Sequence, residues 1–577
     1  MLEENRLRNY VEFIYGENDG QELFARLKGK LSEYKKKIDV SDQRYPLTQK
    51  DVVLITYADQ FSAHDCDPLE ALNNFCVSFL KSSFNTIHIL PFFPYSSDDG
   101  FSVIDYYQVD PALGDWEDVH AFSRNFRLMM DGVFNHVSQQ NPWFQSFLRD
   151  EKPYQDYFIT IPPGTDLTQV VRPRALPLLT RFNAESGTVD VWTTFSKDQV
   201  DLNYASTDVF LDIVDVLLFY VQQGARFIRI DAVPFLWKEI GTDCIHRPQT
   251  HTLVKAFRAI LDWVAPEVLL ITESNVPFKE NLSYLGDQID GEGETDEAQL
   301  IYQFSLGPLI LHTFLKGNAA KVSDWIASLP KPYCYFNFIA SHDGIGLNPA
   351  AGILDDEEIA ALIKTTHDHG GRLSYKKDLN GQEKVYELNI TLYDFLNDPA
   401  QPHLSRDIDR FIASQAIMLA VAGVPGVYIH SLFGSRNCVA CDQDGNHPRS
   451  INRAKFSYEE ITAVLSDPDQ RETRIFHRYL ELLTCRRENS AFAPFAQQQV
   501  LKLDERVVAI YRENITEQQA VICLTNVSDE QVNICLPADL VAQGTSLTDL
   551  ITGKVFHKVL NVFPVALRPY QTYWIRN

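Results

Sequence analysis

The stretch ARFIRIDAV (225–233) decides the fold, because it is a continuous apolar run that ends in a carboxylate. Such a run, bounded by turn-forming residues, is typical of a strand buried on both faces of a parallel sheet. The preceding segment STDVFLDIVDVLLFYVQQG (206–224) has apolar residues at helical spacing and stops at a glycine, which predicts a helix leading into the strand. A helix followed by a buried strand is the unit from which parallel α/β sheets are built.

The same unit recurs along most of the chain. The other apolar runs of this kind are DVVLITYAD (51–59), NTIHILPFFP (85–94), FRLMMDGVF (126–134), EVLLITES (267–274), CYFNFIASHD (334–343) and GVPGVYIHS (423–431). Because these runs alternate with helical stretches, we predict an α/β protein in which an eight-fold repeat closes into a (β/α)8 TIM barrel.

The spacing of the runs divides the chain into segments. We expect an N-terminal helical extension (1–50), a barrel in three parts (51–136, 201–343 and 406–490), an inserted domain B (137–200), an inserted loop region B′ (344–405) and a C-terminal antiparallel β-domain (491–577). Short strand-like runs such as VVAIYREN and AVICLTNVS predict the last of these. Long insertions after barrel strands are where this architecture builds a substrate pocket.

Composition and charge exclude several classes of function. The chain has 577 residues, of which 45% are hydrophobic and 22% charged, as in ordinary folded proteins. A formal net charge of −25 argues against nucleic acid or an anionic membrane as the main partner. An enzyme with this charge that binds phosphate has to gather its cations locally, because its overall field repels the anion.

The first residues contain no apolar secretion signal, and no segment is apolar enough to span a membrane, so we expect a cytoplasmic protein. Nine cysteines, an odd number scattered along the chain, predict reduced thiols. Cys438 and Cys441 form a C-x-x-C motif. Because no second pair stands at zinc-binding spacing, we interpret them as two loop thiols and not as a metal site.

Three acidic residues stand where apolar runs end, namely Asp231, Glu273 and Asp343. A single acid at such a place is often a helix cap, but on a barrel all three would point into the same mouth. Retaining glycosyl transfer needs a carboxylate nucleophile and a second carboxyl group about 5–5.5 Å away. Arg229, two residues before Asp231 on the same strand face, would keep this shorter acid ionised as the nucleophile. The longer Glu273 would then act as general acid/base.

Four short motifs resemble, in order, those of the α-amylase superfamily, glycoside hydrolase family 13. They are DGVFNH (131–136), FIRIDAV (227–233), TES (272–274) and ASHD (340–343). The resemblance implies the same roles for Asp231 and Glu273. It also implies that Asp343, beside His342, holds the 2- and 3-hydroxyls and stabilises the transition state, while His136 holds the glucose 6-hydroxyl.

Within that superfamily the chain resembles the sucrose phosphorylase group most. The matching segments are LITYAD (54–59), HILPFFPYSSDDGFSVIDY (88–106), VRPRALP (171–177), TTFSKDQVDLNY (193–204), WKEIGTDCIH (237–246), SHDGIGLNP (341–349) and RSINR (449–453). This implies a retaining α-glucoside phosphorylase without cofactor or metal, whose partners are a small glucoside and inorganic phosphate. By the same match, Asp98 and Arg449 bind the far hydroxyls of the bound glucose. Phe101 forms an apolar platform, and Gln199 lies near the reacting centre.

A phosphorylase needs cations in its pocket, because phosphate must compete with water for the glucosyl-enzyme. Arg172 and Arg174 match the anion-binding loop of the group, and Arg174 is the first choice; a surface turn with ordinary ion pairs is the alternative. Lys238 and His246 are weaker candidates for binding phosphate. Asn135 matches a position that binds calcium in many amylases, but we expect a hydrogen-bonding asparagine there, because the phosphorylase group manages without the metal.

The acceptor is the least determined part of the function. The segments 237–251 and 341–354 resemble the glucosylglycerate and glucosylglycerol branch more than sucrose phosphorylase itself. The loop 367–387 offers the cations Arg372, Lys376 and Lys377 and the acids Glu383 and Glu387. Acids suit the hydroxyls of neutral glycerol better than a carboxylate, so we favour 2-O-α-glucosylglycerol, then glucosylglycerate, then sucrose.

Two other classes of function stay open. A hydrolase or transglucosidase would use the same three acids. A non-catalytic carbohydrate-binding barrel would typically lack one of them, whereas all three are present in this chain.

Overall fold

A closed barrel of eight parallel strands forms the centre of the protein, as predicted. In the computed structural model the described residues are 2–41, 43–289, 294–377, 383–442, 447–537 and 545–576. We label the barrel strands β1–β8 in chain order: Val53–Thr56, Thr86–Ile89, Arg127–Gly132, Ala225–Ile230, Leu269–Thr272, Leu300–Tyr302, Cys334–Asn337 and Val424–Tyr428. Each pairs in parallel with its neighbours, and β8 closes the barrel on β1 with Gly426 opposite Val53.

Strand β6 is the one barrel strand that we did not identify from the sequence. It contains only three residues, LIY, and polar Gln299 and Gln303 flank it. All three residues are buried. The strand is recognised by its position between β5 and β7, because its apolar run is too short to predict a strand. The other seven strands lie inside the predicted runs.

Helices surround the barrel. In the described residues they are Leu2–Tyr15, Glu17–Lys37, Pro68–Phe75, Trp116–Ser123, Pro142–Leu148, Thr207–Gln222, Pro248–Val264, Phe278–Leu282, Leu306–Lys316, Ala320–Ser328, Asp356–Asp368, Leu392–Leu396, Leu404–Ala420, Ile429–Phe433, Tyr458–Leu465 and Arg471–Arg487. The helix before β4 ends as its sequence predicts, because Gly224 adopts φ 106°, a conformation that favours glycine.

Two insertions extend from the carboxyl ends of β3 and β7. The first contains the antiparallel hairpin Leu179–Ala184 and Gly187–Trp192, and its strand Gln199–Asp201 pairs with His136–Ser138. In the second, Ile345–Gly346 and the strands Arg372–Lys377 and Glu383–Asn389 form a small antiparallel sheet. A further short parallel pair joins Phe61–Ser62 to Phe456–Ser457. The exact domain boundaries expected from the sequence stay predictions.

The C-terminal region is an antiparallel β-structure with its own apolar core. Its strands are Gln497–Val500, Val507–Asn514, Gln519–Asn526, Val532–Pro537, Ser546–Asp549, Val555–His557, Val562–Leu567 and Thr572–Arg576. The buried Arg512 attaches this region to the rest of the chain: its guanidinium donates to the carbonyl oxygens of Ala420 (2.9 Å) and Ala493 (2.7 Å).

One prediction about the cysteines is wrong. Cys438 and Cys441 form a disulfide and are not two separate thiols. The short helical turn that begins at Val439 brings their Cα atoms to 5.3 Å, within bridging distance. The other cysteines are unpaired. None of the described helices is both long and apolar enough to cross a membrane. The cytoplasmic location stays a prediction.

Candidate active site

Three barrel strands bring the predicted acids to one mouth. Asp231 follows β4, Glu273 follows β5, and Asp343 lies on the loop after β7. All three line a pocket of about 840 Å³, counting the space open to solvent. The sequence-predicted residues on its wall are Asp98, Phe101, His136, Arg174, Gln199, Arg229, Asp231, Glu273, His342, Asp343 and Arg449.

A backbone hydrogen bond links the two acids expected to carry the chemistry. The N–H of Ala232, the residue next to Asp231, donates to Oε2 of Glu273 at 3.1 Å. Ala232 is buried and adopts a left-handed conformation with φ 56°. This conformation costs a non-glycine residue on the order of 1–3 kcal/mol and is found preferentially at functional sites. The turn after β4 therefore holds Glu273 beside Asp231.

The buried guanidinium of Arg229 forms an ion pair with Asp231. Arg229 lies 3.1 Å from Asp231 and also pairs with Asp131, its partner in the register of β3 and β4. His88 Nε2 lies 2.7 Å from the same Asp131. Burial raises the pKa of Asp131, but His88 and Arg229 outweigh it and hold the pKa at about 2. Arg229 thus bridges a permanently ionised carboxylate and the acid at the mouth.

The electrostatic environments of the acids differ. Burial raises the pKa of both Asp231 and Glu273 and neighbouring acids raise it further, while Arg229 opposes the shift in both. Two carboxyl groups that interact this closely titrate as a pair. The guanidinium of Arg229, 3.1 Å from Asp231, favours the ionised form of this acid.

Asp343 has the opposite environment. Arg449 Nη1 lies 2.6 Å from its carboxylate and His342 Nε2 lies 3.7 Å away. Although burial opposes ionisation, these neighbours hold the pKa of Asp343 well below its usual range. An acid with a raised pKa, Glu273, therefore lies in the same pocket as one with a lowered pKa, Asp343, and general acid catalysis uses such a difference.

The residues expected to hold glucose form one connected network. Asp98 accepts hydrogen bonds from Arg174 (3.0 Å) and Gln199 (3.1 Å). His136 Nε2 donates to the carbonyl of Phe101 at 2.9 Å, and burial lowers the pKa of His136 to about 4. The Phe101 ring stacks on His342 with centroids 5.1 Å apart.

Arg449 binds two carboxylates at once. Besides Asp343, it forms a bidentate pair with Glu387, at 2.8 and 3.1 Å. Glu387 is fully buried and does not line the pocket, so its role here is to orient Arg449. The structure does not bring Glu383 or Arg172 to the pocket wall: Glu383 is exposed at the start of its strand, and Arg172 donates to the carbonyl of Leu176 in its own loop.

Sequence reasoning missed several residues of the pocket wall. They are Pro173, Phe195, Ala232, Pro234, Phe235, Ser274, Asn275, Val276, Asn348 and Tyr386. Ser274 and Asn275 could have been predicted from the sequence, because they directly follow Glu273. Asn348 lies within the motif SHDGIGLNP, but the motif does not tell which of its side chains face inward.

Lys238 does not line the pocket and instead forms a buried ion pair. Its Nζ lies 2.7 Å from Asp201 Oδ2 and 2.8 Å from Asn135 Oδ1. Asp201 also accepts from Asn135 Nδ2 at 3.0 Å, and all three side chains are buried. The cation beside Asn135 is therefore the Lys238 ammonium. His246, the other weak candidate for phosphate, contacts Tyr284 (2.7 Å) and does not line the pocket.

We predict that Lys238→Met destabilises the protein by about 3–5 kcal/mol, because it leaves the buried carboxylate of Asp201 without its cation. The midpoint of thermal denaturation, followed by circular dichroism, measures the effect. Lys197→Met, at an exposed lysine of the same region, is the matched control and should change stability by less than about 0.5 kcal/mol. Equal midpoints for the two variants would contradict a structural role of Lys238.

Comparison with known proteins places this site in a family. The profile described as "Alpha amylase, catalytic domain" matches residues 78–342. A glucosylglycerate phosphorylase of Spirochaeta thermophila is 44% identical over 99% of this chain and 98% of its own. A glucosylglycerol phosphorylase of Marinobacter adhaerens is 27% identical over 77% of this chain and 89% of its own.

A solved structure agrees with these sequence matches. The sucrose 6F-phosphate phosphorylase from Thermoanaerobacter thermosaccharolyticum superimposes with a TM-score of 0.72 at 25% identity, covering 84% of this chain and 95% of that one. The chain therefore belongs to the α-amylase family, glycoside hydrolase family 13, within the group that contains the sucrose and glucosylglycerate phosphorylases.

Proposed function

We propose that this enzyme is a retaining glucoside phosphorylase that transfers a glucosyl group between glucosylglycerate and inorganic phosphate, giving α-glucose 1-phosphate. One observation carries the proposal: Glu273 is held by the backbone N–H next to Asp231, at the wall of a pocket that also contains Arg174. The relative named as a glucosylglycerate phosphorylase, at 44% identity over nearly the whole chain, supports the choice of substrate.

The first half-reaction forms a glucosyl-enzyme. Glu273 gives its proton to the glycosidic oxygen while Asp231 attacks the anomeric carbon from the opposite face. The glycosidic bond breaks, and glycerate leaves with the proton from Glu273. Asp343 and Arg449 bind hydroxyls of the glucosyl ring, and the positive charge that develops on the ring is stabilised by the surrounding carboxylates.

The second half-reaction returns the glucosyl group to phosphate. A phosphate oxygen attacks the anomeric carbon, the bond to Asp231 breaks, and Glu273 takes the proton of the attacking phosphate. Two inversions at one carbon give net retention, and both acids return to their starting states. Arg174 supplies the cation that favours phosphate over water in this step.

The relatives do not support the preference for glycerol that the sequence analysis favoured. The glucosylglycerol phosphorylase is 27% identical, against 44% for the glucosylglycerate phosphorylase. The structure also removes the reason for preferring glycerol, which was the presence of acids in the loop 367–387. Glu387 is neutralised by Arg449 and Glu383 is exposed, so these acids of the loop 367–387 do not make the pocket unfavourable to a carboxylate.

Phosphate dependence tests the reaction class. We expect glucose 1-phosphate to form from glucosylglycerate only when phosphate is present. In the reverse direction, glucose 1-phosphate should release phosphate fastest with glycerate among glycerate, glycerol, fructose and fructose 6-phosphate. Steady release of free glucose that is independent of phosphate would favour a hydrolase, and the strongest acceleration by another acceptor would replace glycerate in the proposal.

The pH dependence of kcat/KM tests the two acids. Activity requires Asp231 ionised and Glu273 protonated, so the rate should fall below the first pKa and above the raised pKa of Glu273. We expect Glu273→Gln to lower kcat/KM for glucosylglycerate by about 10²–10⁴-fold and to remove the basic limb. Glu185→Gln, at an exposed glutamate, is the control and should keep the bell shape. A basic limb that persists in Glu273→Gln would reject the acid/base role.

A further inference from the structure

Asn348 is a pocket residue that the proposed mechanism does not use. It begins the short helical turn Asn348–Ala350 in the second insertion. Its carbonyl accepts from the N–H of Ala351 at 3.0 Å, and the preceding Leu347 N–H donates to the carbonyl of Tyr386 at 2.8 Å. The backbone is therefore held on both sides of the side chain.

A lysine determines which way the Asn348 amide points. Lys376 Nζ donates to Asn348 Oδ1 at 2.7 Å. A lysine ammonium has three donors and no acceptor, so the amide oxygen, and not the nitrogen, must face it. The Nδ2 group and its two N–H donors are turned away from Lys376. In the described part of the chain, no protein acceptor is hydrogen-bonded to this nitrogen.

Most of the cations on the pocket wall are already paired with carboxylates. Of the arginines there, Arg229 pairs with Asp131 and Asp231, and Arg449 pairs with Asp343 and Glu387. Arg174 is the remaining cation, and one of its nitrogens binds Asp98. An anion in the same pocket as four acids needs further donors. The Asn348 amide supplies two, and the half-buried ammonium of Lys376 behind it adds positive potential.

We propose that Asn348, oriented by Lys376, determines specificity for anionic partners by donating hydrogen bonds to their oxygens in the acceptor subsite. The anionic group is the carboxylate of an acid acceptor or an oxygen of phosphate, which share this chemistry. Lys376 is a positioning residue that acts through Asn348. The inference rests on the proposed function, in which the glucosyl group passes between two small anions.

The test compares Michaelis constants of four variants with those of the unmodified enzyme. Asn348→Asp replaces the two N–H donors by a carboxylate oxygen of nearly the same size. Lys376→Met removes the orienting donor, and Lys376→Arg keeps one. Lys364→Met, at an exposed lysine on the helix Asp356–Asp368, is the matched control. Each is assayed with glycerate and with glycerol as acceptors of glucose 1-phosphate, and with phosphate in the phosphorolytic direction.

We expect Asn348→Asp to raise KM for glycerate, for phosphate or for both by roughly tenfold or more, as loss of a hydrogen bond to a charged group would. KM for neutral glycerol should stay within about twofold. Lys376→Met should change the same constants in the same direction by less, and Lys376→Arg should restore them. A rise for glycerate alone assigns the carboxylate, and a rise for phosphate alone assigns the phosphate oxygen.

Two results would overturn the inference. One is no change in KM for either anion in Asn348→Asp. The other is an equal rise for glycerate and glycerol, which a loss of general packing would produce. Failure of the proposed function is distinguishable, because the unmodified enzyme would then not use glycerate at all, while the phosphate measurements would still test Asn348.

Discussion

A single buried guanidinium, Arg229, is the interaction on which the site depends. It is paired with Asp131 on the neighbouring strand and with Asp231 at the barrel mouth, and almost none of its side chain is exposed. Without Arg229, the buried carboxylates of Asp131 and Asp231 would repel each other and bind protons. The parallel register of β3 and β4, which sets Asp131 opposite Arg229, therefore places a cation beside the acid at residue 231.

The acids around the pocket differ in pKa because their surroundings differ, and not because of their own chemistry. Arginines hold the pKa values of Asp343 and Asp98 below their usual range, whereas burial raises the pKa values of Glu273 and Asp231. In the proposed mechanism the raised pKa of Glu273 keeps it protonated as the acid, and the contact with Arg229 favours the ionised form of the nucleophile Asp231. The same arrangement leaves few cations for the acceptor, so neutral donors such as the Asn348 amide gain importance.

The barrel and the centre of its mouth could be predicted because they depend on local patterns. Buried parallel strands require continuous apolar runs, and acids at their ends stand out in such runs. Strand β6 was not predicted, because three buried residues form no pattern. The loops were harder, because packing decides which side chains face inward: Arg174 lines the pocket while Arg172 does not, and Lys238 pairs with Asp201. The pairing of Cys438 with Cys441 likewise depends on the turn between them.

The central claim is that Asp231 carries the glucosyl group covalently. Its most direct test uses α-glucosyl fluoride, a donor whose leaving group needs little help from an acid, with the reaction quenched by denaturation in the absence of acceptor. Peptide mapping by mass spectrometry should find the mass of one glucosyl unit added to Asp231, and phosphate added before the quench should discharge it as α-glucose 1-phosphate. A glucosyl unit on another residue, or turnover to β-glucose 1-phosphate without any adduct, would contradict the account.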